Sequence, residues 1–329
     1  MMATISDVAK LAEVSVATVS RYLNDSGYVG TKSRESIESA INELNFVPSE
    51  VARSLSTKQS DIIGLIIPDI KNPFFPELAR AVEDTAFEYG YTVILCNSDE
   101  NANKEKHYLQ KLTKKYVAGI ILTSIIEQEN HRQNVNLPIV ALDRPLKSDM
   151  PTVTTNNLKG AKIATDYLIR CGAKNLLCIS GPKAIISAQT RVEGFKAAIE
   201  HQDVKADIIE SPYDFEIAEK ILYDYLKENP DINGIFACSD ASAIGALKAA
   251  HRLHIRIPED LQIVGFDGIQ MGNVVTPSLT TVAQNIYRLG QTAAQLLIKQ
   301  IEGQQLTETA VCIDPELIIR ETTRKERIE

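Results

Sequence analysis

The sequence predicts an α/β protein in which doubly wound parallel sheets follow a small all-α headpiece. From Ile62 onward, short apolar runs alternate with helical stretches, a pattern typical of parallel sheets joined by crossover helices. The runs are IIGLIIP, YTVILCN, GIILTS, PIVALD, NLLCISG, GIFACSD, LQIVGFD and LTTVAQ. They are apolar nearly throughout, as expected of strands that are covered on both faces. Helical patterns occupy the segment that precedes them.

The segment DVAKLAEVSVATVSRYLN, from Asp7 to Asn24, predicts two short helices separated by a tight turn. Ser15 is a good N-cap, and Val16 and Val19 begin the three- and four-residue spacing of the second helix. The polar face of that helix is free to meet base edges and phosphates in a major groove. It carries Ala17, Thr18, Ser20, Arg21 and Asn24. The segment indicates a DNA-binding helix-turn-helix, although any pair of short core helices has similar spacing.

A third helix is expected from Thr31 to Leu44, with Ile37 and Ile41 on one face, and it completes a compact headpiece. The charge of this region does not support DNA binding. Residues 1–60 hold six Lys/Arg and seven Asp/Glu, a net charge of −1, whereas nucleic-acid-binding modules are usually basic. The DNA-binding interpretation therefore depends on the motif and its neighbours.

The stretch after Leu44 predicts a linker that contains a short helix. Pro48 precedes a helical pattern from Ser49 to Leu55, and the polar run STKQS follows it. This helix is shorter than the roughly 12–15 residues at which an isolated helix becomes even marginal in water. We therefore expect it to form only with help from a twin helix and from DNA.

Composition indicates a cytoplasmic protein. The five cysteines (96, 171, 178, 238 and 312) form no Cys-x-x-Cys pair and mostly lie in apolar runs, so we expect buried, reduced thiols and no metal site. The N-terminus lacks a positively charged start followed by an apolar run, and no long uninterrupted apolar stretch occurs, so neither export nor a membrane span is expected. With a net charge of −8, any DNA contact must be local.

Polar residues end several of the predicted strands: Asp143, Ser239 with Asp240, Asp267 and Gln284. Ligands of open α/β sheets bind just beyond the carboxyl ends of the strands, so these residues indicate a cleft. The sequence contains no Gly-x-Ser-x-Gly, Gly-x-x-x-x-Gly-Lys or His-Glu-x-x-His motif, and its five histidines form no metal-ligand pattern. We therefore expect a binding protein without catalytic residues or cofactor, and not an enzyme.

Four motifs of the chain resemble the lactose/galactose repressor (LacI/GalR) family of bacterial transcription regulators. They are DVAKLAEVSVATVSRYLN, ELNFVPSEVARSL, NPFF and VGFDGIQ, in that order at ordinary family spacing, and the resemblance covers nearly the whole chain. It implies a periplasmic-binding-protein-like core of two subdomains behind a helix-turn-helix headpiece. The implied domains are a headpiece at 1–47, a hinge helix and linker at 48–60, and an effector-binding core at 61–329. Its N-subdomain would span about 61–158 and 286–329, and its C-subdomain about 159–285.

The same resemblance implies which residues meet DNA. Val16, Ala17 and Arg21 fall at the base-reading positions of the recognition helix. The positions nearer the phosphates are Ser15, Thr18, Ser20 and Asn24. The hinge helix carries Ala52, Arg53 and Leu55, of which the leucine pairs with its symmetry mate and wedges into the minor groove of a palindromic operator. A homodimer is implied, because the residues after Ile319 are too few for the heptad-repeat tail of tetrameric relatives.

Two headpiece residues depart from the family pattern. Glu13 lies in the turn between the helices, where family members usually have glycine, and Gly30 replaces the usual serine cap of the third helix. We expect the first to strain a left-handed turn position and the second to give a weaker cap. Both changes concern the stability of the headpiece more than its contacts with bases.

Two core segments, Asn72-Pro73-Phe74-Phe75 and Leu142-Asp143-Arg144, are similar to segments of bacterial ribose-binding proteins. In that resemblance the rings that stack on or cover the sugar are Phe74, Phe75 and Phe215. The residues that bond its hydroxyls are Asn72, Asp143, Arg144, Arg191, Asp267 and Gln284, and Ser239 stands where an asparagine is expected. Flat rings and planar polar groups suit the C–H faces and hydroxyl rim of a pentose. Taken singly, the phenylalanines also fit a core, Asp143–Arg144 a surface ion pair and Asp267 a helix cap.

These observations lead to the hypothesis of a sequence-specific repressor whose operator affinity falls when a small sugar binds between the two core subdomains. D-ribose is the first choice, and another monosaccharide is the second. The rival within the family is a catabolite-control regulator, whose corepressor is a phosphorylated phosphocarrier protein bound to the outer surface. A secreted sugar-binding receptor would share the core, but it would have no headpiece.

Overall fold

The computed structural model describes residues 3–47, 60–123, 136–144 and 150–325. The chain divides into two compact units, Met1–Ser60 and Asp61–Glu329, which are described separately below. No described helix is long and apolar enough to span a membrane. The predicted hinge helix lies outside the described residues.

The first unit, the headpiece, contains three helices: α1 (Ile5–Leu11), α2 (Val16–Asn24) and α3 (Thr31–Leu44). Val8, Val19 and Ile37, one from each helix, are fully buried in a common apolar core. Ser15 caps α2, as the sequence predicts, by accepting a hydrogen bond from the Thr18 backbone N–H at 3.1 Å. The sequence pattern therefore correctly predicted all three headpiece helices.

Both departures from the family pattern have the expected local effect. Glu13 adopts a left-handed conformation with φ of 51°, where a side chain costs more than glycine. Gly30, the N-cap of α3, offers no side-chain hydrogen bond to that helix.

The second unit begins with strands and helices that build one lobe, which we call the first lobe. They are β1 (Ile62–Ile67), α4 (Phe74–Glu88), β2 (Thr92–Asn97), α5 (Ala102–Lys114), β3 (Gly119–Leu122), β4 (Ile139–Leu142) and β5 (Thr152–Thr155). The chain then builds the second lobe. Its elements are α6 (Asn157–Arg170), β6 (Asn175–Ser180), α7 (Ile186–Ile199), β7 (Lys205–Glu210), α8 (Phe215–Glu228), β8 (Gly234–Ala237), α9 (Asp240–Arg252), β9 (Gln262–Asp267), α10 (Met271–Val274) and β10 (Thr280–Ala283).

The remaining elements return to the first lobe and then to the second. They are α11 (Ile286–Ile301), β11 (Ala310–Ile313) and β12 (Glu316–Ile318). Among the described residues, the first-lobe sheet has the order β11-β5-β4-β3-β1-β2 and the second-lobe sheet the order β12-β10-β9-β8-β6-β7. Within these sheets the strands pair in parallel, except for β12, which is antiparallel to β10. The structure confirms the predicted doubly wound α/β core.

One predicted boundary is wrong. Residues 286–329 were assigned to the first of the two subdomains, but β12 pairs with β10 of the second lobe, with Leu317 opposite Val282. The following segment stays there, because the Thr322 hydroxyl accepts a hydrogen bond from the Thr280 N–H and donates one to the Ile263 carbonyl. The chain therefore crosses between the lobes three times, after β5, after β10 and after β11.

Helices cover both faces of the first-lobe sheet. In β1, Leu65 and Ile67 pack in the cluster that contains α4 and α11, whereas Ile66 packs in the cluster of α5. This alternation explains why β1 is apolar at successive positions. The cysteines agree with their prediction, since all are free and all but Cys312 are buried.

Candidate functional site

The outer face of α2 presents the predicted base-reading residues. Val16, Ala17 and Arg21 are exposed, while Val19 on the opposite face is fully buried. Among the predicted phosphate-facing residues, Thr18 bonds Ser15 at 2.8 Å between their hydroxyls, and Asn24 donates to the Ser20 hydroxyl at 3.3 Å. The predicted base-reading residues are therefore exposed, and the polar side chains beside them hydrogen-bond to each other. The three predicted hinge-helix contacts, Ala52, Arg53 and Leu55, lie outside the described residues.

A cavity of about 410 Å³ lies between the two lobes of the second unit, at the carboxyl ends of their strands. The structure brings nine of the ten predicted effector-binding residues to its walls. They are Asn72, Phe74, Phe75, Asp143, Arg144, Arg191, Phe215, Asp267 and Gln284. The predicted cleft is therefore present, with polar residues at the strand ends where the sequence placed them.

Helix starts position the aromatic walls. Phe74 and Phe75 open α4, with ring centroids 5.1 Å apart and planes at 89°, and the Asn72 side chain accepts the Phe74 N–H at 3.1 Å. Phe215 opens α8 of the other lobe, whose first turn is capped by the Asp214 carboxylate. Apolar ring surface is therefore offered to the cleft from both lobes.

Arg191 is the centre of the polar network of the second lobe. It is 3% exposed, and it donates to the Asn157 side-chain oxygen at 2.8 Å, to the Cys238 carbonyl at 2.6 Å and to Asp267 Oδ1 at 3.3 Å. Its guanidinium carbon lies 3.9 Å from the centre of the Phe266 ring. These contacts fix the guanidinium in one orientation before any ligand binds.

Asp267 and Gln284 form a second fixed pair, in which Gln284 Nε2 donates to Asp267 Oδ1 at 2.6 Å. Burial raises the pKa of Asp267 to about 6, against the opposing effects of Arg191 and of the Gln284 hydrogen bond. Gln284 Oε1 has no hydrogen-bond partner among the described residues. The pair therefore keeps acceptor oxygens in the cleft.

On the first lobe, Arg144 forms a bidentate ion pair with Glu100, with N–O distances of 2.7 and 2.8 Å. Asp143 lies beside it, 3.9 Å from the Arg144 Nε, and burial raises the pKa of this carboxyl. Asp143 Oδ1 and Arg144 Nε are buried without a partner in the described part of the chain. The first lobe therefore offers both an acceptor and a donor that the protein does not satisfy.

Ser239 is the exception among the predicted residues, because it does not line the cavity. Its hydroxyl accepts the Ser242 N–H at 3.1 Å and donates to the Ser242 hydroxyl at 3.0 Å, so it caps α9. The structure therefore does not bring Ser239 to the cavity with the other nine predicted residues. A serine at a helix start is a strong capping signal, which offered an alternative interpretation from the sequence.

Asp240, beside Ser239, holds the loop that follows the cleft residue Asp267. It is fully buried and accepts hydrogen bonds from the Gly268 N–H, the Ile269 N–H and the Thr281 hydroxyl at 2.6–2.9 Å. Burial and the nearby Asp267 carboxylate raise its pKa to about 8. This carboxyl anchors the loop that follows Asp267, a role that its place at a strand end did not predict.

Other residues of the site were missed as well. Glu100 and Tyr213 line the cavity, and Asn157 orients Arg191. Glu100 and Tyr213 follow the edge strands β2 and β7, in loops where no periodic pattern marks a buried side chain. Their position after strands was the available signal.

Rings from both lobes, combined with fixed carboxylates, guanidinium groups and an amide, suit a small molecule with C–H faces and many hydroxyls. Among the described residues, no three His, Cys, Asp or Glu side chains are grouped so as to hold a metal ion. The arrangement favours binding of a small polyol.

Comparison with known proteins agrees with both parts of the molecule. Residues 60–321 match the family of periplasmic binding proteins and sugar binding domain of LacI family, and residues 4–49 match the bacterial regulatory proteins, lacI family. A ribose operon repressor of Halalkalibacterium halodurans is 52% identical over 98% of both chains.

Two solved structures are similar. The lac repressor dimer bound to operator and the anti-inducer ONPF has a TM-score of 0.85 at 26% identity, covering 98% of this chain and 99% of that one. A LacI family regulator from Enterococcus faecium with bound ribose has a TM-score of 0.73 at 27% identity, covering 80% of this chain and 98% of that one. Together with the two family matches, these similarities show that the chain belongs to the LacI family of bacterial transcription regulators.

Proposed function

We propose that this chain is a ribose-responsive transcriptional repressor, which binds a palindromic operator as a homodimer and releases it when D-ribose fills the cleft. The observation that carries the proposal is the set of cleft walls, with rings on both lobes and buried polar groups that the protein leaves partly unpaired. Its most similar relative named above is a ribose operon repressor, and a related family member binds ribose.

Ribose fits the chemistry of these walls. Its C–H faces match the rings of Phe74, Phe75 and Phe215, and its hydroxyls can both donate and accept. Asp143 and Gln284 supply acceptor oxygens, while Arg144 and Arg191 supply donors. A sugar that leaves one of these buried groups unpaired is penalised by about 1–3 kcal/mol, so the site discriminates between sugars.

The DNA side of the proposal rests on α2. Val16 and Ala17 suit apolar contact with base edges, and Arg21 suits a bidentate contact with guanine. We assign the phosphates to Ser15, Thr18, Ser20 and Asn24, and the minor groove to Ala52, Arg53 and Leu55. Because the proposed target is operator DNA, we place the action of the protein in the cytoplasm.

Ribose must bind the operator-incompetent state more tightly in order to lower DNA affinity. In our proposal, closure of the lobes on the sugar separates the paired hinge helices, which are too short to persist alone. A coupling of about 1–3 kcal/mol corresponds to a change in operator affinity of about 5- to 150-fold.

Titration of D-ribose into a complex of the full chain with labelled operator tests the proposal. Anisotropy should fall as ribose saturates the protein, and calorimetry with a panel of pentoses and hexoses should show tightest binding for ribose. Unchanged operator affinity at saturating ribose would reject the inducer role. A tenfold preference for a hexose would replace the effector and leave the repressor in place.

The DNA contact is tested separately with Arg21→Ala, which should weaken operator binding by about 1–3 kcal/mol and relax sequence preference. Lys10→Ala removes the same charge from α1 and is the matched control, with little expected effect on preference. Equal effects of the two variants would argue against base reading by α2.

A further inference from the structure

Tyr213 is the residue of the cleft that neither the sequence pattern nor the family resemblance assigned. It lies in the loop between β7 and α8, and it lines the same cavity as Arg191 and Asp267. Its phenolic oxygen is buried and has no hydrogen-bond partner among the described residues. A buried hydroxyl without a partner costs free energy, so its retention in the cleft calls for an explanation.

The surroundings of this hydroxyl are the polar groups of the cleft. Tyr213 interacts electrostatically with Arg191, Asp267 and Arg144, which belong to both lobes. Burial raises the pKa of Tyr213 well above its ordinary value, so the phenol stays neutral. A neutral phenol both donates and accepts hydrogen bonds, as a sugar hydroxyl does.

A glycine makes room for the phenol. Gly181 directly follows β6, and a Cβ at this position would lie 2.2 Å from the Tyr213 oxygen and 2.3 Å from the ring carbon that bears it. No side chain larger than hydrogen is therefore compatible with this position of the ring. The absence of a side chain at Gly181 leaves this position open to the hydroxyl.

The second lobe also lacks one polar ligand that the family resemblance implies. Ser239 stands where the family resemblance places an asparagine ligand, but its hydroxyl caps α9 and does not line the cavity. Tyr213 belongs to the same lobe and brings a hydroxyl with unused hydrogen-bonding capacity.

We propose that Tyr213 is a ligand-binding residue, whose hydroxyl hydrogen-bonds a hydroxyl of the bound sugar in the position that Gly181 leaves open. This inference rests on the proposed function, in which a pentose occupies the cleft. It makes Tyr213 and Gly181 a pair that determines sugar specificity in this chain.

Calorimetric titration of D-ribose into the full chain and into Tyr213→Phe tests the proposal. The variant deletes one oxygen, and we expect ribose to bind about 5- to 20-fold more weakly. The melting temperature of the ligand-free variant should not fall, because the hydroxyl has no protein partner to lose. A merely structural hydroxyl would instead lower the melting temperature and leave ribose affinity unchanged.

Tyr225→Phe is the matched control, since Tyr225 lies on α8 of the same lobe and bonds Asp207 outside the cavity. Its ribose affinity should equal that of the unmodified protein. Gly181→Ala should weaken ribose binding, because the new methyl group displaces the phenol. If the two residues act together, the double variant Gly181→Ala with Tyr213→Phe should bind ribose about as tightly as the weaker of the two single variants.

Deoxy sugars identify the partner hydroxyl. One of 2-deoxy-, 3-deoxy- and 5-deoxy-D-ribose, or the anomeric deoxy sugar 1,4-anhydroribitol, should bind the unmodified protein weakly and show no further loss in Tyr213→Phe. If Tyr213→Phe binds ribose with an affinity within twofold of that of the unmodified protein, the inference is wrong and the proposed function still stands. Failure of the unmodified protein to bind ribose would reject the proposed effector, and the inference with it.

Discussion

At the scale of single residues, Arg191 is the side chain whose loss should be most costly. Arg191→Gln removes the donor to Asn157, the Cys238 carbonyl and Asp267, and it leaves a buried carboxylate without its guanidinium. We expect the free energy of unfolding to fall by about 3–5 kcal/mol, measured by urea denaturation.

Arg256→Gln is the control for this prediction. Arg256 forms an exposed ion pair with Asp260, four residues later in the sequence, and such pairs contribute about 0–1 kcal/mol. A loss in Arg191→Gln no larger than in Arg256→Gln would show that the buried network does not stabilise the fold.

Asp240 makes stability depend on pH. Its folded-state pKa of about 8 lies above the ordinary value of 3.8, so its contribution is fully present below pH 3.8 and is lost as pH rises through 8. Asp240→Asn keeps acceptor capacity for Gly268 and Ile269 without this titration. The stability of the variant relative to the unmodified protein should therefore rise by up to about 1.4 kcal/mol for each pH unit between 4 and 8.

Urea denaturation of both proteins at several pH values measures this difference. Asp260→Asn, at an exposed carboxyl whose pKa is lowered, should not reproduce the rise over this range. A difference between Asp240→Asn and the unmodified protein that stays constant with pH would contradict the proposed titration.

The sequence predicted site residues where a regular strand determined their position. Asp143, Asp267 and Gln284 lie at the carboxyl ends of parallel strands, the first in one lobe and the other two in the second, and these are the ends that line the cleft. Tyr213 and Glu100 were missed because the path of their loops depends on tertiary packing. The sequence could not place Ser239, because a serine can serve either as a ligand or as a cap, and only the structure shows that its hydroxyl bonds Ser242.

At the scale of secondary structure, the turn between α1 and α2 limits the stability of the headpiece. Glu13→Gly should relieve the left-handed conformation at φ of 51° and stabilise the headpiece by about 1 kcal/mol. Hydrogen exchange of the full chain should show slower exchange of the amides of α1 and α2.

Glu13→Ala is the control, because it removes the carboxylate but retains a Cβ at the strained position. Its exchange should match that of the unmodified protein. If alanine slowed exchange as much as glycine, charge and not backbone conformation would be the cause.

Strands that lie in an apolar run were predictable from the sequence, whereas a very short strand was not. The apolar runs of β1, β3, β4 and β9 match observed strands because burial on both faces requires apolar residues at successive positions. Strand β12 has three residues, too few to show any period, so its lobe depends on pairing with β10.

At the scale of the whole molecule, the low charge of the headpiece should limit how steeply operator affinity falls with salt. Its described helices carry Lys10, Arg21, Lys32 and Arg34, and residues 1–60 have a net charge of −1. These four cations make at most eight per dimer, so a plot of the logarithm of operator affinity against the logarithm of salt concentration should have a slope no steeper than about −7.

Anisotropy titrations in increasing potassium chloride measure this slope. The acidic-to-basic variant Glu13→Lys should give a steeper slope than Glu13→Gly, because it adds a cation to the turn before α2. A slope near −10 for the unmodified protein would show that many more cations contact DNA than these helices offer.

Two of the three crossings between the lobes are in contact, because the Asn156 side chain donates a hydrogen bond to Asp314 Oδ1 at 3.3 Å, and this arrangement has an evolutionary consequence. In the proposed mechanism the connections guide one joint movement of the lobes, so we expect every sugar that allows closure to drive the same movement. New specificity then requires changes only in the side chains that face the occupant, while the machinery that responds to closure is inherited intact. A regulator built in this way can acquire a new inducer through a few substitutions.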